Sequence, residues 1–384
     1  MTENVDIKDF GTGAITFLAA SLSIANIPLQ ATATETTVVS NLKKRQLGQF
    51  FTEKKCWLRE HIKKFIAESG CELAYDPFAG TGCMLDAVSQ EISNIQTIKG
   101  LDIDESLGWK KNDSLLSIPK EKDAIIITNP PYLTKYSASR KKIGNTVKKY
   151  FDISEYDDLY LIALDRMLEA QKNVVAIIPE TFINSPYKQK NKLHSITILE
   201  ENPFDDTDVP VIVACFDSRE KNFDEIKIYK NDRFICSLAE TESTRIFPNN
   251  DVKIFFNRSD AWLAVRCVDS TDPNDRIRFA FKDEIDYNWD AKIKVSSRLL
   301  TLIKIDIPEG KQKLFIDECN QILNNLRERS HDIIFSPFKG NTKNGIRRRR
   351  LDFQTCRAII EQAYKNIISP IAKTDNDEKQ LFLF

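Results

Sequence analysis

Short apolar runs that alternate with helical patterns between residues 71 and 217 constrain the fold of this chain most strongly. The runs have the length of buried strands, and several end in a polar residue and a turn. Apolar strands that alternate with helices favour a parallel, doubly wound α/β sheet, in which ligands bind at the carboxyl ends of the strands. The predicted strands are Glu72–Asp76, Thr97–Asp102, Ala124–Thr128, Asn173–Pro179, Ser195–Leu199 and Val209–Phe216.

The chain of 384 residues suits one large domain with an appended one. Beyond residue 222 the pattern changes to shorter mixed segments, with helices predicted at 311–327 and 352–368. The charged, unpatterned stretch 218–222 marks the boundary. We predict an N-terminal helical segment packed on the core (1–41), a sheet domain (42–222) and a C-terminal region (223–384).

Composition restricts the class of protein. The formal net charge is −1, so any binding of nucleic acid must depend on local basic patches. The 8 cysteines are scattered without a Cys-x-x-Cys pair beside only 3 histidines, so we expect no metal site and no disulfide framework. The apolar stretch 13–29 follows acidic residues and is interrupted by polar ones, which fits neither a signal peptide nor a membrane span. We therefore expect a cytoplasmic protein.

Asn-Pro-Pro-Tyr at residues 129–132 directly follows the predicted strand Ala124–Thr128. The two prolines stiffen the turn and remove two backbone donors, so their carbonyls stay available as acceptors. The side-chain oxygen of Asn129 and the carbonyl of Pro130 can both accept from an exocyclic amine, while Tyr132 can stack on a planar ring. This tetrapeptide therefore suits a site that binds an amine-bearing base.

A second turn, Asp-Pro-Phe-Ala-Gly-Thr-Gly at residues 76–82, lies between a predicted strand and a predicted helix. It contains only one Gly-x-Gly, and Asp76 at its start would repel a pyrophosphate. The same carboxylate suits a cationic cofactor such as S-adenosylmethionine. Asp102, at the end of the next strand, could bind ribose hydroxyls, with Asp104 as the alternative, and Asp113 could accept from an adenine amine.

These segments, together with Gly-Gln-Phe-Phe-Thr at residues 48–52, resemble the amino-group DNA methyltransferases of the gamma arrangement over residues 42–216. In that family the cofactor motifs come first, the catalytic motif next and the target-recognition region last. The resemblance implies a Rossmann-like, S-adenosylmethionine-dependent catalytic domain and makes 223–384 the DNA target-recognition region. One departure is the short link from Asp102 to Asp113, which is too brief for a full helix.

Carried over to this chain, the resemblance implies two sets of site residues. The cofactor would be bound by Phe51, Thr52, Asp76, Phe78, Gly80, Gly82, Asp102, Asp113 and Asn129. The flipped-out target base would be bound by the catalytic residues Asn129, Pro130, Pro131 and Tyr132.

Basic clusters supply candidate DNA contacts. One follows the catalytic turn and comprises Arg140, Lys141 and Lys142, with Lys148 and Lys149 beyond it. The other comprises Lys339, Lys343, Arg347, Arg348, Arg349 and Arg350, next to glycines, which suggests a loop that follows phosphates.

The function expected from the sequence is methylation of adenine N6 in double-stranded DNA, as the modification enzyme of a restriction-modification system. A cognate restriction endonuclease is then a possible partner, and we expect a monomer or weak dimer without metal or membrane association. The alternatives are cytosine-N4 methylation, which more often has Ser in place of Asn129, and an RNA guanine or protein-glutamine N-methyltransferase. A non-catalytic S-adenosylmethionine-binding subunit is disfavoured by the intact Asn-Pro-Pro-Tyr.

Overall fold

The computed structural model describes Thr52 and residues 55–205, 207–289 and 299–369. The chain divides into two compact units, Met1–Lys43 and Lys44–Phe384. The first unit, and with it the helix predicted at 13–29, lies outside the described residues. Within the described ranges no helix combines the length and the apolar character of a membrane span.

The catalytic part predicted from the sequence is built of short strands and helices in alternation. Its strands are β1 (Leu73–Asp76), β2 (Thr97–Asp102), β3 (Lys110–Lys111), β4 (Ala124–Thr128), β5 (Asn173–Pro179), β6 (Leu193–Ile198), β7 (Val211–Phe216), β8 (Lys227–Lys230) and β9 (Arg233–Ser237). Its helices are α1 (Glu60–Glu68), α2 (Cys83–Glu91), α3 (Lys135–Arg140), α4 (Gly144–Phe151), α5 (Leu159–Ala170) and α6 (Leu238–Ser243).

Among the described residues these strands form one nine-stranded sheet in the order β3-β2-β1-β4-β5-β7-β6-β8-β9. Neighbours from β3 to β5 pair in parallel. The prediction of an α/β sheet is confirmed, but the parallel direction is wrong for β7, which pairs antiparallel with both β5 and β6. The described part of the β6–β7 connection, residues 199–205 and 207–210, holds no helix. Two consecutive strands that pair in parallel need a long crossover connection, usually a helix, whereas two antiparallel strands can be joined by a short loop.

Both faces of the sheet are covered, as a doubly wound fold requires. Successive residues of β4 alternate between the two cores: Ile125 and Ile127 pack with α1 and α2, whereas Ile126 packs with α4 and α5. Every residue of β4 and of β7 is buried. This is why these strands are continuous apolar runs in the sequence.

The C-terminal region forms a separate small sheet with two helices and a hairpin. Its elements are β10 (Phe255–Phe256), β11 (Leu263–Arg266), β12 (Arg278–Phe281), β13 (Leu300–Lys304), α7 (Glu309–Arg329), β14 (Ser336–Asn341), β15 (Arg347–Arg350) and α8 (Phe353–Ile367). The sheet has the order β10-β13-β11-β12, and α7 and α8 pack on it through a shared apolar core. The boundary predicted at residues 222 and 223 stays a prediction, and the nine-stranded sheet itself continues to Ser237.

The ring of Trp109 packs against the backbone of β2 at Gly100, where the side chain of any other residue would clash with it. A Cβ placed on Gly100 would lie 2.5 Å from the Trp109 ring and 2.8 Å from the Cβ of Ala79. The indole also donates from Nε1 to the carbonyl of Gly80 at 2.9 Å. The tryptophan thereby joins β2 to the turn that follows β1.

We expect Gly100→Ala to lower the free energy of unfolding by about 1–3 kcal/mol, because the added methyl group meets a ring and a second methyl in a packed core. Gly310→Ala is the matched control, since a Cβ added at Gly310 would have no described atom within 4 Å. Urea unfolding of both variants measures the difference. Equal stability of the two variants would contradict the packing described for Trp109.

Candidate functional site

The carboxyl ends of β1, β2 and β4 lie side by side at one edge of the sheet. β1 pairs with β2 on one side and with β4 on the other. Their polar residues therefore meet there, with Asp76 and Asp102 as the last residues of their strands and Asn129 directly after β4. A cleft at this edge is lined by the predicted residues Thr52, Asp76, Phe78, Gly80, Asp102, Asp113, Asn129 and Pro131.

Asp76 is the most deeply placed carboxylate of the cleft, with 2% of its surface exposed. Its Oδ1 accepts hydrogen bonds from the backbone N–H of Phe78 at 2.9 Å and from the hydroxyl of Thr128. Burial raises the pKa of Asp76 to about 7; the two hydrogen bonds oppose the shift, and the nearby Asp102 adds to it. A carboxyl group with this pKa becomes ionised near neutral pH, and its negative charge then stabilises a cation bound in the cleft.

Asp102 holds the glycine turn in place. Its Oδ2 accepts from the N–H of Gly80, and its Oδ1 from the N–H of Asp104, both at 2.9 Å. Asp104, the alternative considered from the sequence, instead accepts from the backbone of Ser106 at 3.0 Å and caps the short turn Glu105–Leu107. Of these two aspartates, Asp102 is therefore the one that faces the cleft.

The two glycines of the turn have different roles. Gly80 lines the cleft in a left-handed conformation, with φ 54°. Gly82 also has a positive φ, of 84°, but it faces Trp109, whose Cζ2 would lie 2.9 Å from an added Cβ. Both the positive φ and the contact with Trp109 therefore require glycine at position 82. The sequence motifs did not indicate a role for Trp109.

Asp113 is paired at the outer side of the cleft. Its Oδ2 accepts from Nζ of Lys149 at 2.7 Å and from the hydroxyl of Tyr150 at 3.0 Å. Lys148 pairs with Asp152, one helical turn away. Both ammonium groups thus pair with aspartates at the surface, and a contact of Lys148 and Lys149 with DNA stays a prediction. Neither pair could be read from the sequence, since α4 had no predicted position relative to Asp113.

The catalytic tetrapeptide contributes Asn129 and Pro131 to the lining of the cleft, whereas Pro130 and Tyr132 are not among the lining residues. Pro130 and Pro131 are buried, and Asn129 and Tyr132 are half-buried. The hydroxyl of Tyr132 lies within hydrogen-bonding range of Oδ1 of Asn129 and of the carbonyl of Ile177, the latter at 2.7 Å. Its ring packs edge-on against Tyr160 and Phe204. A stacking role for Tyr132 stays a prediction.

Thr52 belongs to the cleft, whereas Phe51 lies outside the described residues. Thr52 is 6% exposed, and its buried Oγ1 has no hydrogen-bond partner among the described residues. A buried hydroxyl without a partner is costly, so a ligand atom that bonds to it would restore a lost interaction.

The predicted basic residues fall into two groups. Arg140, Lys141 and Lys142 are exposed at the end of α3, just beyond the catalytic turn. Burial, and after it the nearby ammonium of Lys339, lowers the pKa of Lys141. The fold thus brings the basic cluster around Lys141 close to the one around Lys339, although these two lysines are 198 residues apart in sequence.

The prediction that the four consecutive arginines form a phosphate-following loop is wrong. Arg347–Arg350 is strand β15, paired antiparallel with β14. Arg349 is 5% exposed and its Nη1 lies 2.5 Å from Glu180 Oε1. Arg347 also points inward, with its Nη2 donating to the carbonyl of Leu199 at 2.8 Å. Alternation along a strand sends two of the four side chains inward, which a run of identical letters does not reveal.

Residues 26–206, a little under half of the chain, match the family model described as Eco57I restriction-modification methylase. The matched range contains the cleft and the catalytic tetrapeptide. This part of the chain is therefore similar to restriction-modification methylases of the Eco57I type. A comparison with curated protein sequences gave no match.

Among solved structures, this chain is similar to the modification subunit of a putative type I restriction enzyme from Vibrio vulnificus YJ016. The TM-score is 0.34 at 17% identity, over 51% of this chain and 50% of that one. It is also similar to the type I restriction-modification methyltransferase subunit from Streptococcus thermophilus, with a TM-score of 0.34 at 14% identity over 57% and 58% of the two chains. The chain thus spans about half the length of these proteins, and similarities this weak carry no further conclusion.

The residues that line the cleft fit S-adenosylmethionine, the methyl donor of such a methylase. The buried carboxylate of Asp76 suits the cofactor's ammonium group, and the unbonded Oγ1 of Thr52 offers a polar contact. Asp102 and Asp113 each keep acceptor capacity on oxygens that line the cleft.

We expect the affinity of the protein for S-adenosylmethionine to rise as pH increases from 6 to 8. Asp76, with its pKa raised to about 7, is largely neutral at the lower pH and charged at the higher, and only the charged form attracts the cationic cofactor. Isothermal titration across this range measures the change. Asp76→Asn should bind weakly with little pH dependence. If the variant keeps the slope of the wild type, another group is responsible for it.

We expect Thr52→Val to keep or slightly raise thermal stability without cofactor, because the isosteric change removes an unsatisfied buried hydroxyl. Loss of one neutral hydrogen bond to the cofactor, worth about 1 kcal/mol, would weaken binding about fivefold. Thermal melting with and without S-adenosylmethionine measures both effects. Unchanged affinity would show that Thr52 does not contact the cofactor.

Proposed function

We propose that this chain is a DNA methyltransferase that transfers the methyl group of S-adenosylmethionine to N6 of a flipped-out adenine in duplex DNA. The observation that carries the proposal is the position of Asn129 and the two prolines directly after β4, where Asn129 and Pro131 line the cleft that contains Asp76 and Asp102. The Eco57I methylase match supports the class of reaction. The natural role we infer is modification within a restriction-modification system.

Asn129 and Pro130 would bind the exocyclic amine of the target base. N6 of adenine is a poor nucleophile, because its lone pair is delocalised into the ring. The Asn129 side-chain oxygen and the Pro130 carbonyl can accept its two N–H bonds and so favour a pyramidal nitrogen whose lone pair is available. Pro130 and Pro131 have no N–H of their own, so the turn brings no competing backbone donor at these two positions.

Tyr132 can control the acceptor capacity of Asn129. A phenol has one proton, so its hydroxyl can donate either to Asn129 or to the Ile177 carbonyl. Donation to the Ile177 carbonyl, at 2.7 Å, does not use a lone pair of the Asn129 oxygen. Burial raises the pKa of Tyr132, so the proton stays on the phenol at neutral pH.

The remaining chemistry is positioning. S-adenosylmethionine supplies an electrophilic methyl group on its sulfonium. The carboxylates of the cleft would bind and orient the cofactor, and the catalytic turn would align the nitrogen for an in-line displacement. The N–C bond would form as the S–C bond breaks, with S-adenosylhomocysteine as the leaving group and one proton of the amine released to solvent. Because the target atom is inaccessible inside a duplex, the base must rotate out of the helix into the pocket.

Cytosine-N4 methylation is the second candidate, since cytosine N4 is also an amine conjugated to a ring. The side chain at position 129 is asparagine, which favours adenine by the resemblance given above. We include duplex DNA as the substrate in this proposal. A cognate endonuclease as partner, and a monomeric or weakly dimeric state, stay predictions from the sequence.

Asn129→Ala should abolish methyl transfer to DNA while S-adenosylmethionine binds nearly as tightly as to the wild type, because the change removes an acceptor for the base rather than a charge that holds the cofactor. Asn366→Ala, at an exposed position on α8, is the matched control and should be fully active. Transfer of labelled methyl groups to DNA, RNA and bulk protein measures activity and substrate class together. Near-normal transfer by Asn129→Ala would disprove the mechanism, and transfer to RNA or protein alone would disprove the substrate.

A further inference from the structure

Strands β14 and β15 form an antiparallel hairpin in the C-terminal region, with a shift of register between Pro337 and Asn341. Thr342 closes its tip, since its N–H donates to the carbonyl of Ile346 at 2.8 Å and its carbonyl accepts from Gly345 at 2.9 Å. Gly340 and Gly345 have φ values of 71° and 82°, which glycine adopts without strain. The hairpin is therefore a two-stranded ribbon with a defined turn.

One face of the hairpin is fixed to the methylase sheet by ion pairs with Glu180. This glutamate directly follows β5, is 1% exposed and lies at the same edge of the sheet as the catalytic turn. Its Oε1 lies 2.5 Å from Nη1 of Arg349, and its Oε2 lies 3.4 Å from Nε of Arg347. A buried ion pair with hydrogen-bonding geometry permits few relative positions of the two elements.

Asp269 fixes the same strand to the C-terminal region. It accepts from both terminal nitrogens of Arg327 at 2.9 Å and from the backbone N–H of Arg349 at 3.0 Å. The base of the hairpin is thus held from two sides by buried charged groups.

The hairpin also carries positive charge in solvent. Lys339 and Lys343 are exposed, and neither has an ion-pair partner within the described ranges. The guanidinium of Arg348 lies over the ring of Phe338 at 4.9 Å. Ile346, at the tip, is 52% exposed. By contrast, the exposed Lys304 and Lys313 pair with Asp260 and Asp317.

This positive charge continues toward the catalytic turn. Lys339 lies near Lys141 at the end of α3, and α3 is capped by Thr134, two residues after Tyr132. Arg140 and Lys142 are exposed at the same end of the helix. Positive charge that is held on fixed backbone beside the mouth of the cleft is complementary to a polyanion.

We propose that the β14–β15 hairpin is a DNA-contacting ribbon that lies in a groove of the duplex beside the flipped adenine. Lys339 and Lys343 contact phosphates, and the tip around Ile346 faces base edges. This inference rests on the proposed methylation of DNA. The major groove of B-form DNA admits a two-stranded ribbon, whereas the deep, narrow major groove of A-form RNA does not. Arg347 and Arg349 are positioning residues, because they hold the ribbon against Glu180 instead of contacting DNA.

The test compares the double variant Lys339→Ala/Lys343→Ala with Lys304→Ala/Lys313→Ala, which removes the same charge from another surface. Binding to a labelled duplex of mixed sequence is measured by fluorescence anisotropy over a range of salt concentrations, and cofactor binding by titration. We expect the hairpin variant to bind DNA at least tenfold more weakly and its salt dependence to fall by about 2 units of slope, since each phosphate contact contributes about 0.9. The control should bind DNA as the wild type does, and both should bind S-adenosylmethionine normally.

The positioning role is tested with Arg349→Lys and Arg349→Met. We expect Arg349→Met to lower kcat/KM for DNA at least tenfold with unchanged affinity for S-adenosylmethionine, and Arg349→Lys, which keeps the charge, to restore part of the loss. Thermal melting identifies a variant that fails to fold, and in that case the exposed lysine variants still decide the proposal.

The outcomes separate the two inferences. If the wild type methylates DNA but the hairpin variant binds DNA as the control does, the hairpin assignment is wrong and the proposed function stands. If the wild type neither binds nor methylates duplex DNA, both are overturned.

Discussion

The parallel order of β2, β1, β4 and β5 is the constraint on which the rest of the structure depends. It places the carboxyl ends of four strands at one edge of the sheet, each with a polar residue at or directly after its end: Asp102, Asp76, Asn129 and Glu180. The first three line one cleft, and the fourth holds the β14–β15 hairpin. The same edge therefore defines both the chemistry and the position of the surface that we propose for DNA.

Negative and positive side chains lie in different places at this edge of the sheet. A cationic cofactor needs carboxylates inside the cleft, and a polyanionic substrate needs cations around its mouth. The chain meets both needs with a formal net charge of only −1. Buried acids such as Asp76 and Asp102 face inward, while the cations near Lys141 and Lys339 stay at the surface. Net charge alone would have suggested no affinity for DNA.

The sequence predicted what depends on local pattern and missed what depends on distant contacts. The bounds of β2, β4 and β5 match the predicted runs, because strands buried on both faces are continuous apolar segments between turns. The direction of β7 was wrong, since burial does not encode direction. The arginine run was also misread: whether a side chain contacts solvent or a buried glutamate depends on Glu180, 169 residues away from Arg349. Trp109 was missed for the same reason, as was the pairing of Lys149 with Asp113.

The most direct test of the central claim is the modified nucleoside itself. The wild type and Asn129→Ala are each expressed in a host that has no DNA methylases of its own. DNA from both cultures is digested to nucleosides and analysed by mass spectrometry. The account predicts N6-methyladenine in the first sample and none in the second. N4-methylcytosine alone, or no methylated nucleoside from a folded wild-type protein that binds S-adenosylmethionine, would contradict it.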